Sequence, residues 1–104
     1  MAWIALLVAG VLEVIWAFAM KQSDGFSRLT PTLIMAVAMV ASFALLAYAM
    51  RSLPLGTAYM VWTGIGAVGA FLVGVLWLDE PATAVRLLAA LLIASGIVLM
   101  KVAD

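Results

Sequence analysis

Four mostly apolar runs fill nearly all of this sequence, at about 2–20, 31–50, 57–78 and 84–100. Each is close to the ~20 residues a helix needs to cross the hydrocarbon core of a bilayer. Inside lipid every backbone donor and acceptor must be satisfied within the segment or by a closed barrel, so apolar runs of this length are expected as helices. Charged residues are 10% of the chain, against about 25% in a soluble domain. The sequence therefore predicts an all-α membrane protein, with a single four-helix transmembrane domain over 1–104.

The first run holds the one residue that does not belong in lipid. Glu13 lies near the middle of Ala2–Met20, where everything else is apolar or small. A carboxylate at that depth costs a few kcal/mol on insertion scales and marks an ion pathway, a proton relay or a cation site. The competing structural reading is a protonated glutamic acid that only packs helices. No buried Lys, Arg or His stands ready as a structural partner, which favours the functional reading. The run also carries Ala17-Phe18-Ala19, which looks like a signal-peptide cleavage site. It lacks a basic leading segment, however, and Glu13 stands where such a peptide is purely apolar, so the run is expected to be a span.

Ala2, Ala5, Ala9, Glu13 and Ala17 share one helical face. Small residues there let another helix approach and leave room beside the carboxylate. Gly10 and Trp16 border the same face, three residues either side of Glu13. An aromatic one turn from a carboxylate suits a cation, although Trp16 is equally a core aromatic. Lys21-Gln-Ser-Asp-Gly25 ends this span, and Thr30-Pro31 opens the second, with Pro in the first turn. Ser42 falls near the middle of span two, at the depth of Glu13. Alone it is a weak sign, since a membrane serine often bonds its own backbone.

Span three follows Arg51-Ser-Leu-Pro54-Leu-Gly56. Tyr59, Trp62, Thr63, Gly66 and Ala70 share a face at helical spacing. Gly64 and Gly66 allow close packing, and they are also the expected hinge of a helix that must flex. Asp79-Glu80-Pro81 connects to span four, which has little polar content beyond Ser95. Its small residues Ala90, Ala94 and Gly96 predict an assembly helix that pairs two copies.

Charge leaves the orientation undecided. Arg51 and Lys101 fall on the side of the chain ends, and Lys21, Arg28 and Arg86 on the other. The positive-inside rule has almost nothing to act on. The expectation is a chain that inserts both ways and pairs as an antiparallel homodimer, an inverted repeat made by pairing instead of fusion. Four helices are also too few to enclose a water-filled path, and each chain has one membrane acid.

Three blocks carry a family resemblance over the whole length: Gly10-Val-Leu-Glu13-Val-Ile-Trp16-Ala17, Lys21-Gln-Ser-Asp-Gly25-Phe26 and Pro54-Leu-Gly-Thr-Ala-Tyr59-Met-Val-Trp62-Thr-Gly64-Ile-Gly66-Ala. The sequence resembles the small multidrug resistance family, and within it the guanidinium-exporting branch. The resemblance implies a proton-coupled exporter in the bacterial inner membrane, working as an antiparallel dimer held by its fourth helix. It puts substrate and proton on Glu13 in alternation, with Trp16, Ser42, Tyr59 and Trp62 lining the pocket. Trp16 and the Thr-Gly-Ile-Gly run look like the guanidinium branch.

The chemistry agrees with that expectation. Guanidinium is a planar cation whose donors match a carboxylate in two parallel bonds. Ser42 and the Tyr59 hydroxyl are expected to hold Glu13 by hydrogen bonds. Three rivals predict other things. A broad exporter of quaternary ammonium cations would rely on aromatic contacts, and a non-transporting assembly subunit would dock a basic partner helix on Glu13. A passive channel would pass cations without protons. With no cysteine and no histidine, disulfides, thiol chemistry and a histidine metal site are excluded. Neither an enzyme activity nor a cofactor is expected, and zero formal net charge gives no sign of nucleic-acid binding.

Overall fold

A computed structural model describes residues 1–103; Asp104, the last residue of the expected domain, lies outside the described residues. Four helices follow in order: α1 Ala2–Gln22, α2 Leu29–Ala49, α3 Leu55–Trp77 and α4 Ala84–Ala103. All four are long and apolar enough to cross a membrane. At ~1.5 Å per residue they span about 30–35 Å, so the chain is a multi-pass membrane protein.

The helix ends differ from the expected spans by a few residues, for local reasons. The first runs two residues beyond Met20 to Gln22, because Ser23 Oγ donates to the Met20 carbonyl at 2.7 Å and accepts from the Phe26 amide at 3.1 Å. Asp24, Gly25 and Phe26 then take positive φ angles of 50, 71 and 68°. That left-handed stretch, easy for Gly25 and costly for Phe26, reverses the chain into α2. Pro31 sits in the first turn of α2, where its missing N–H has no helical partner to lose. The third helix starts directly after Pro54. It stops at Trp77, where the Leu78 amide still bonds to Gly74 at 3.1 Å and Asp79 turns left-handed at φ 57°. Thr83 Oγ1 accepts from the Arg86 amide at 3.2 Å and caps α4.

The chain is a slab of 40 × 34 × 16 Å. In it α1 packs on α2 and α3, while α4 packs mainly on α3. The contacts are made by small residues, as membrane helices without a hydrophobic drive between them require: Ala5 and Ala9 from α1, Ala38 and Ala49 from α2, Ala58 and Gly64 from α3. The buried cluster, with Leu6, Leu46, Leu53, Val61 and Trp62, gathers toward the end that holds the chain termini. At that same end Lys101 Nζ lies 4.8 Å from the centre of the Trp3 ring, joining α4 to α1. Toward the other end, where α1 meets Lys21 and α3 meets Trp77, the helices part around cavities.

Candidate functional site

Glu13 is two turns from the end of α1 and half-buried against α3. Gly66 is what admits it. A Cβ built on Gly66 would fall on the Glu13 carboxyl group. Gly10, one turn earlier, does the same service for the helices: a Cβ there would meet the Ile65 side chain at 2.5 Å. So α1 and α3 approach closely just where the acid needs a seat.

Glu13 Oε1 is buried and has no hydrogen-bond partner among the described residues, and neither has Trp16 Nε1 one turn along. A buried acceptor and donor left unpaired cost a few kcal/mol each in apolar surroundings.

Ser42 does not hold Glu13, contrary to the sequence-based expectation. Its hydroxyl donates to the Ala9 carbonyl at 2.7 Å and accepts from Trp62 Nε1 at 3.0 Å. A serine has one proton to donate, and Ala9 takes it. The chain Trp62 to Ser42 to Ala9 is fully buried and ties α3, α2 and α1 together. Tyr59 also makes no hydrogen bond to Glu13 among the described residues; its ring packs on Trp62, with centroids 5.6 Å apart.

Phe43 was not legible as a site residue, yet it completes an aromatic row. It meets Trp16 edge-on at 6.4 Å and Trp62 at 5.7 Å, geometries aromatic pairs prefer. The row runs Trp16, Phe43, Trp62, Tyr59. Adjacency to Ser42 was the only signal for Phe43, and neighbouring residues point to different helix faces.

Of the remaining expected residues, Thr63 is exposed on α3 and joins no hydrogen bond of this group among the described residues. Gly64 faces the other way, with a Cβ there 3.0 Å from Ile97 of α4. The third helix runs unbroken through Gly64 and Gly66. Along α4, Ala90, Ala94 and Gly96 are half-buried, and none of its described residues is fully buried.

Two cavities lie past the site toward the far end of α1, and Glu13 lines neither. One of about 180 Å³ lies between α1 and α3, lined by Val14, Ala17, Lys21, Ala70 and Glu80 among others. A larger one, about 710 Å³ and mostly apolar, is lined by Ile15, Phe18, Gln22 and Trp77. Ile15 and Phe18 sit on the side of α1 turned away from Glu13, at 100° per residue, so the larger space does not belong to the carboxylate.

The family described as Small Multidrug Resistance protein matches residues 1–93. A guanidinium exporter from Yersinia pseudotuberculosis is 60% identical over 104 residues, covering 100% of both chains. The guanidinium exporter of Citrobacter freundii is 56% identical over 101 residues, 97% of this chain and 96% of that one. The Salmonella typhimurium LT2 guanidinium exporter is 57% identical over the same length.

Proposed function

The chain belongs to the small multidrug resistance family, and from that premise we propose that it exports guanidinium and small guanidinyl cations across the bacterial inner membrane in exchange for protons. The single observation that carries this reading is Glu13, a membrane-depth carboxylate with a buried, unpaired oxygen one helical turn from Trp16. The names of relatives matching end to end at 56–60% identity point to the same substrate.

The mechanism follows from charge. An uncompensated carboxylate is disfavoured in apolar surroundings. Glu13 therefore holds a proton or a cation, and never both. Guanidinium offers two parallel N–H donors to the carboxylate. Trp16 and Trp62 bound the plane of the ligand and offer ring faces to its charge. Competition for one site, with the site facing each side of the membrane in turn, converts a proton gradient into cation export. The proposed flexing point is Gly64 and Gly66.

The working unit in this proposal is an antiparallel homodimer. A slab 16 Å thick does not enclose a path, and α4, covered mainly by α3 and with none of its described residues fully buried, has apolar surface to give to a partner copy, with Ala90, Ala94 and Gly96 as its close-contact residues. Balanced Lys and Arg residues permit both insertions. Reporters fused to the C-terminus should accordingly appear on both sides in comparable amounts; a one-sided result would remove the antiparallel arrangement.

Proton release tests the exchange. Binding a cation stabilises ionised Glu13, so guanidinium must displace a proton. Calorimetry in buffers of different ionisation enthalpy should reveal that release as a buffer-dependent heat. Buffer-independent heats would refute competition at one site.

Aromatic contacts also suit bulky quaternary ammonium cations, the rival substrate class. Trp16 sets the difference. Trp16→Gly removes the ring that packs on Phe43 and should shift preference from guanidinium toward larger hydrophobic cations by about tenfold, the scale of one lost cation–π and packing contact. Unchanged selectivity in a substrate panel would show that Trp16 is not the size limit.

A further inference from the structure

Glu13 lies between two tight contacts of α1 with α3, one on each side of it. On the terminal side Gly10 receives Ile65: a Cβ on Gly10 would stand 2.5 Å from Ile65 Cγ2 and 2.7 Å from Ile65 Cβ. On the loop side Val14 sets a methyl, Cγ2, in the place a Cβ on Gly69 would take. The bulky partner changes helix between the two. At the first contact α3 supplies the knob and α1 the hole, and at the second α1 supplies the knob and α3 the hole. Both knobs are β-branched, and in a helix such side chains keep mostly one χ1 rotamer. Neither swings aside freely, so a slide or roll of α1 on α3 has to lift both out of their seats. Close-packed surfaces resist such shifts instead of yielding smoothly.

The two contacts are not equally supported. Ile65 packs against the buried cluster of the terminal end. Val14 has open space beside it, since it borders both the cavity of about 180 Å³ and the one of about 710 Å³. One turn on, Ala17 and Ala70 also border the smaller cavity. The Val14–Gly69 contact thus stands at the edge of the packing, one residue past the carboxylate.

We propose that Val14 and Gly69 are positioning residues for Glu13. The valine methyl seated on the glycine fixes the register of α1 on α3, and with it the place of the carboxylate against Gly66. Guanidinium affinity then depends on the fit of an apolar pair that bears no charge and no hydrogen bond. This role presupposes that Glu13 binds guanidinium, so one readout of the test follows the carboxyl group alone.

The test is a size swap. Gly69→Ala puts a methyl where Val14 Cγ2 already stands, and Val14→Ala empties the seat. Each alone should weaken guanidinium binding by about fivefold, the low end of what overpacking or a small cavity costs. Together they refit, because Val14 Cβ lies 3.4 Å from the position of a Cβ on Gly69, ordinary contact. The double variant should bind to within about twofold of wild type, where independent losses would multiply to about 25-fold. The chain has only two glutamates, Glu13 and Glu80, so glutamate labelled with 13C at its side-chain carboxyl gives two signals that Glu13→Gln assigns. The Glu13 signal should move in each single variant and return in the double, with the Glu80 signal fixed. Multiplied losses in the double variant would overturn the register lock. So would a melting temperature that falls and recovers while affinity and the Glu13 signal never move, the mark of packing alone. If Gly69→Ala does not fold, Val14→Ala carries the same expectation, and an unmoved Glu13 signal there overturns the role. A signal that moves and returns in a chain that binds no guanidinium would uphold the positioning while refuting the binding role of Glu13.

Discussion

Glu13→Gln should abolish guanidinium–proton exchange while the four helices stay folded. Glutamine keeps the shape of the side chain and its fit against Gly66, where a Cβ would fall on the Glu13 carboxyl group. It cannot release a proton or neutralise a cation. Each hydrogen bond to a charged group is worth about 1.5–3 kcal/mol. Losing two of them to guanidinium costs at least a hundredfold in affinity, at ~1.4 kcal/mol per tenfold. The structure itself should tolerate the change, since it removes a charge from lipid. Purified Glu13→Gln should elute as wild type and hold its helical content, yet neither bind guanidinium nor move protons. Retained proton-driven export would mean the carboxylate is structural and the site lies elsewhere.

Gly66→Ala is expected to be nearly as damaging, for a different reason. Alanine favours a helix over glycine by about 1 kcal/mol, so on propensity alone the change is stabilising. The new methyl would occupy the place of the Glu13 carboxyl group. Overpacking of this kind costs about 1–3 kcal/mol, and the movable partner is the carboxylate. Guanidinium affinity should fall roughly tenfold or more at ~1.4 kcal/mol per decade, with the fold intact. Gly64→Ala separates seat from flexing, because its Cβ would press on Ile97 of α4, not on Glu13. It should leave equilibrium affinity unchanged in titrations while slowing transport. Equal affinity loss at both positions, or no loss at Gly66, would refute the seat.

Much of the architecture was legible because lipid leaves few options. Apolar runs bounded by Lys21 to Gly25, Pro54 and Asp79 to Pro81 had to be helices, and the helices fall there. Their ends were less legible, since Ser23 and Thr83 act through hydroxyl geometry that spacing does not reveal. The same limit explains Ser42. Its depth beside Glu13 was readable, but a backbone carbonyl of α1 competes for its proton and wins. Pairings between side chain and backbone across helices leave no pattern in sequence. Gly66 was visible as a small residue on the face of Trp62 and as part of an expected hinge. That its missing side chain is the room for a carboxylate depends on the register of α1 against α3, which periodicity leaves free.

The central claim is that Glu13 carries guanidinium one way and protons the other. The most direct measurement uses proteoliposomes at equal pH on both sides, loaded with guanidinium and an internal pH dye. Guanidinium leaving down its gradient should acidify the lumen, an effect absent in Glu13→Gln. Guanidinium efflux with no change in internal pH would contradict the account.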